Sequence, residues 1–144
     1  MANISFTASD VRPLPGYKSR RIESGGTIYT GEGVYIDSSG EGQSTAAADS
    51  LTACAYGICA AAQVDGGGTV AADGVMMDVV YSGAVTGYSS MTPGLPVFVS
   101  ATAGLLTQDT PIAGSYVFMI GIAESASIIL VNPSYATPLV AKST

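Results

Sequence analysis

Apolar residues in this chain come in short runs broken by glycine, proline, serine and threonine. No window carries a 3.6-residue apolar period with capping residues over the length of a normal helix. This pattern predicts an all-β protein. The β-branched and aromatic runs 27–30, 34–37, 56–62, 75–81, 97–100, 116–123 and 128–131 are the expected strands, while 46–48 and 60–62 are the places for a short helical turn. In the run 75–81 the side chains of Val75, Met77, Val79 and Tyr81 share one face and Asp78 takes the other, so one wet face is expected. The runs 116–123 and 128–131 are apolar at successive positions. Burial of both their faces is expected, against a second sheet or a partner subunit.

Two parts of the chain resemble each other. The segment Gly31-Glu-Gly-Val-Tyr-Ile-Asp-Ser-Ser-Gly parallels Gly94-Leu-Pro-Val-Phe-Val-Ser-Ala-Thr-Ala-Gly in its turn, its aromatic-centred strand and its following turn. At nearly the same offset, Tyr56-Gly-Ile-Cys-Ala parallels Ile120-Gly-Ile-Ala-Glu, and each half then runs on into an apolar strand. We read this as a weak pseudo-repeat of three strands within one β domain over 25–132, a small β-barrel or β-sandwich. Residues 1–24, interrupted by Pro13, Pro15 and Gly16, read as an extended N-terminal arm, and 133–144, with Pro133 and Pro138, as a C-terminal tail.

Charge sharpens this picture. Only 11% of residues are charged, against about 25% in an average soluble domain. A surface that poor in charge favours association. Four of the five basic residues, Arg12, Lys18, Arg20 and Arg21, lie in the arm, and from Ile22 to Ala141 there is no Lys or Arg, only acids. An acidic body repels phosphate backbones and four cations are too few for a nucleic-acid footprint, so no nucleic-acid partner is expected. The arm is expected to meet an acidic protein surface. No apolar run approaches the roughly 20 residues that cross a bilayer, and no cationic segment followed by an apolar run opens the chain. Membrane insertion and secretion are therefore not expected.

Candidate chemistry is sparse. The chain contains no histidine, which removes the commonest general base, the Ser-His and Cys-His nucleophile systems and the commonest transition-metal ligand. Paired carboxylates would survive that test, but the acids Asp37, Glu41, Asp65, Asp73 and Asp109 are scattered singly at expected turns. No catalytic residue, cofactor or metal is expected. Gly66-Gly67-Gly68 lacks the Lys-Ser/Thr of a phosphate loop, and Asp65 with Asp73 fits no calcium-loop spacing. Cys54 and Cys59 form neither a CxxC nor a metal-ligand pattern and read as small apolar residues.

The chain as a whole resembles the capsid decoration, or cement, proteins of tailed bacteriophages. The resemblance runs through Met1-Ala-Asn-Ile-Ser-Phe-Thr-Ala-Ser-Asp-Val-Arg-Pro-Leu-Pro-Gly, Gly25-Gly-Thr-Ile-Tyr-Thr-Gly-Glu-Gly-Val-Tyr-Ile-Asp-Ser-Ser-Gly and Tyr56-Gly-Ile-Cys-Ala. It continues through Tyr81-Ser-Gly-Ala-Val-Thr, Met91-Thr-Pro-Gly-Leu-Pro-Val-Phe-Val-Ser-Ala-Thr-Ala-Gly and Ile120-Gly-Ile-Ala-Glu-Ser-Ala, and so covers nearly the whole chain. It implies a structural virion protein, made in the host cytoplasm and commonly a homotrimer, that sits on the outer surface of the head and clamps neighbouring major capsid proteins. The arm is then the expected anchor, with Ile4, Phe6, Val11, Arg12, Lys18, Arg20 and Arg21 as capsid-binding residues. The resemblance offers no role for Cys54 and Cys59. The alternative reading is a β-rich receptor- or carbohydrate-binding module of a virion fibre or tail, using tyrosines such as Tyr88 and Tyr135.

Overall fold

The computed structural model describes residues 3–64, 67–109, 116–133 and 139–140. The described strands are β1 Ser5–Phe6, β2 Arg12–Pro13, β3 Lys18–Glu23, β4 Ile28–Tyr29, β5 Gly33–Ile36, β6 Gly42–Ser44, β7 Gly57–Ala61 and β8 Val70–Ala71. They continue with β9 Met76–Thr86, β10 Tyr88–Ser89, β11 Pro96–Val99, β12 Leu106–Thr107, β13 Tyr116–Val117, β14 Met119–Ala123, β15 Ile128–Val131 and β16 Leu139–Val140. Among the described residues there is no α-helix, only a 3-10 turn at Ala8–Asp10. The protein is all-β. Its main sheet is a curled, antiparallel half-barrel in the order β12-β11-β14-β15-β9-β7-β5-β6.

That order reads the same from either end once the two matching segments are superposed. The order β6-β5-β7-β9 is answered by β12-β11-β14-β15, and the register agrees as well as the order. Val34 pairs with Gly57 as Val97 pairs with Gly121, and Ile58 pairs with Val80 as Ile122 pairs with Leu130. Gly57 and Gly121 occupy the same place for the same reason. A Cβ added to Gly57 would run into the Val80 carbonyl oxygen, and one added to Gly121 into the Leu130 carbonyl oxygen.

Strand β9 joins the halves. Its first part pairs with β7 and β3, and its second part with β15 and β2. The β-branched and aromatic run expected as this strand ends at Tyr81. The strand instead continues to Thr86 through Gly83, whose φ of 117° is glycine-only territory and whose missing Cβ would sit 2.7 Å from the Tyr17 Cα.

Two cores lie on opposite faces of the β7-β9 layer. Ile58 and Val80 enter the larger one with Val97, Val99, Ile120, Ile129 and Val131, while Cys59 and Val79 enter the smaller one with Ile28, Val34 and Met77. The expected wet face of β9 is wet only in part: Asp78 is partly exposed and pairs with Arg21, while Val80 on the same face is buried. The alanines at 60–62 form no helical turn: Ala60 lies in β7 and is buried in the larger core.

Residues 3–24 are extended but do not stand apart from the sheet. Asn3 bridges Thr107 and the Ile4 N–H donates to the Leu106 carbonyl at 2.8 Å, which ties the segment to β12 at one end of the sheet order. β1 then pairs with β10, and β2 and β3 run antiparallel to β9. Ser24 bridges Gly42 of β6 at the other end of the order. The segment straps both ends of the open sheet to its middle strand. Of the C-terminal region, 134–138 and 141–144 lie outside the described residues, and β16 pairs with β13.

Candidate docking surface

The seven residues expected to contact a shell divide into two groups. Ile4 and Val11 are buried in the larger core, and Phe6 is half-buried, stacked edge-on against Tyr88 with ring centroids 5.4 Å apart. These three side chains hold the strap down. Arg12, Lys18, Arg20 and Arg21 are exposed. They follow one another along β2 and β3, because both strands track β9 in nearly continuous register. Among the described residues Arg21 forms an ion pair with Asp78, at 3.7 Å and partly in solvent. A pair so exposed contributes about 0 to 1 kcal/mol. The cations thus line β2 and β3 in solvent, with Arg20 and Arg21, as successive strand residues, on opposite faces of β3, over a body whose other charges are acidic.

Arg12 also borders a polar cleft of about 460 Å³ between the strap and β10, with Asp10, Ser5, Thr7 and Ser127 among its lining residues. Tyr88 at its base is not an exposed platform: it is buried, and its hydroxyl donates to the Gly31 carbonyl at 2.7 Å. Burial pushes that phenol upward from its ordinary pKa. Tyr135 lies outside the described residues.

A second surface was not legible as one. β14 and β15 bury Ile120, Ala123, Ile129 and Val131, but Met119, Ile122 and Leu130 face out with 47, 40 and 42% of their surface exposed. Within a single chain one face of these strands is covered and the other is bare. A shallow depression of about 220 Å³ lies there, lined by Met119, Gly121, Ile122, Leu130 and Asn132.

The acids are less scattered in space than along the chain. Glu41 is held above its ordinary pKa by a hydrogen bond with the Glu23 carboxyl and by the charges of Asp73 and Asp37, all at the surface. Among the described residues, no three Cys, Asp or Glu side chains are grouped so as to hold a metal. Asp65 and Gly66 lie outside the described residues. Both cysteines are in the thiol form, and burial pushes Cys59 up to about 12. A thiol so rarely ionised at neutral pH is a poor nucleophile.

Among the described residues Glu32 is the one buried carboxyl, and the sequence did not single it out. Its Oε1 accepts the Tyr29 N–H at 2.9 Å and the Ser44 hydroxyl at 3.1 Å, but desolvation outweighs both and raises its pKa. The folded state therefore binds this proton more tightly than the unfolded chain, so Glu32 adds stability as pH falls from neutral through its raised value. Asp37 is depressed by the Gln43 amide and backbone N–H groups, and Asp49 chiefly by the Thr52 N–H. Their contributions are present above the ordinary Asp range and are lost as pH falls through the lowered values. Stability is expected to peak at mildly acidic pH. Glu32→Gln keeps the acceptor and should raise stability at neutral pH while flattening the climb toward acid. Urea midpoints measured across that range check this; an unchanged climb in the variant would exclude Glu32 as its source.

Compared with known proteins, the chain matches no family model and no curated sequence.

Proposed function

We propose that this protein is a structural component of a virion, without catalytic activity, that binds the outer surface of a phage head as a homotrimer. It stabilises the shell by clamping neighbouring major capsid proteins. The observation that carries this reading is the clustering of four exposed cations, Arg12, Lys18, Arg20 and Arg21, along β2 and β3 of an otherwise acidic and charge-poor β body. Such a basic cluster is complementary to an acidic protein surface. The resemblance to cement proteins supplies the partner class. A protein that contacts only the assembled shell stabilises it by mass action, with no chemical step. The carbohydrate-binding alternative has weaker support, because Tyr88 is buried.

Changing all four cations to Gln should weaken co-sedimentation with expanded heads by about one to two orders of magnitude, the sum of four exposed pairs. It should also flatten the salt dependence of binding. Equal binding by variant and wild type would remove the cluster from the interface, and no binding by the wild type would remove the function.

A further inference from the structure

We propose that the outer face of β11, β14 and β15 is a contact surface between copies of this chain. Register partners share a face of a sheet. Pro96 pairs with Ile122, Ile122 with Leu130, and Phe98 with Met119, so these five side chains form one continuous outer patch. All five are exposed or half-exposed. The three strands contain no Asp, Glu, Lys or Arg.

The internal repeat shows what such a face does when it has a partner. The counterpart of the Ile122 and Leu130 pair in the first half is Ile58 and Val80, both fully buried. They are buried in the larger core, which the second half of the same chain completes with Val97, Val99, Ile120, Ile129 and Val131. The chain covers this face once and leaves it bare once. The cover it used the first time was an uncharged β layer of its own.

A second copy presents that chemistry again. Bringing the patches of neighbouring copies together removes apolar surface on each and strands no charge, which is how the centre of a homo-oligomeric interface is built. The depression beside Gly121 gives a protruding side chain of the other copy somewhere to sit. An acidic shell surface would be a poor occupant, since the cations that complement it lie on β2 and β3. The inference does not rest on the shell-docking reading, because self-association is measured on purified protein with no shell present.

The test is the mass in solution of the full chain and of Ile122→Glu/Leu130→Glu, by light scattering at tens of micromolar. The wild type should run at a multiple of its 14.4 kDa chain mass, and the double variant as a monomer with unchanged circular dichroism. That corresponds to self-association weakened by about 100-fold or more. Leu51→Glu, at an exposed leucine in a loop, should leave the mass unchanged. If the double glutamate variant misfolds, Met119→Gln/Ile122→Thr, which suits an exposed strand, should dissociate the assembly. A monomeric wild type, or a folded variant that keeps the wild-type mass, overturns the proposal.

Discussion

A chain lacking residues 2–21 should fail to fold. The truncation takes Ile4 and Val11 out of the larger core, a loss of about 1.5 to 3 kcal/mol for each apolar side chain. It also strips β9 of most of its pairing with the strap and frees β12 from Asn3 and Ile4. Against a total stability of about 5 to 15 kcal/mol for a domain of this size, those losses are decisive. The expected product has no cooperative thermal transition and collects in the insoluble fraction. A truncated protein that melts cooperatively near the wild-type temperature would contradict the strap. The same result means that truncation cannot test docking, which is why substitution of the four exposed cations is the informative experiment.

Gly57→Ala and Gly121→Ala should each cost about 3 kcal/mol, the upper end for inserting a methyl group into packed structure. The obstacle is a main-chain carbonyl, of Val80 or Leu130, and not the end of a side chain that can swing away. Relief therefore requires two paired strands to move apart. Gly40→Ala is the contrast: it carries a φ of 81° but opens onto empty space, so only the left-handed backbone penalty of about 1 to 2 kcal/mol applies. Urea unfolding of the three variants separates the mechanisms. If Gly57→Ala is as mild as Gly40→Ala, the close approach of β7 to β9 is not a constraint. Equal losses at Gly57 and Gly121 would show that the repeated register carries equal strain in both halves.

Every strand expected from an apolar run is present, because a run such as Val97-Phe98-Val99 buries alternate residues whatever surrounds it. The strands that escaped notice are those whose stability is supplied by a partner. Lys18-Ser-Arg-Arg-Ile-Glu has no alternation, and only Ile22 packs against a core; it is a strand because β9 offers it a ladder. Register is a long-range property, and a six-residue polar window does not contain it. The basic character of the candidate docking cluster was legible as composition, whereas its alignment on one pair of strands was not. The bare face of β14 was hidden by a different effect. An irregularity in the pairing near Val97 and Phe98 shifts the strand so that Ile120 and Ala123 both point inward, three residues apart. The run is apolar at successive positions, so the sequence does not mark which of them stay bare.

The strap also sets the order in which a growing chain can become safe. Asn3 must wait for Thr107, Ser5 for Ser89 and Glu23 for Met76, so residues 3–23 leave the ribosome well before the strands they pair with. During that interval 3–23 is unpaired extended chain, the state most prone to join the same segment of a neighbour. Lys18, Arg20 and Arg21 repel their counterparts on other nascent chains throughout the wait. Chains carrying the four-Gln substitution should for that reason give lower soluble yield during synthesis, even where the finished protein is equally stable.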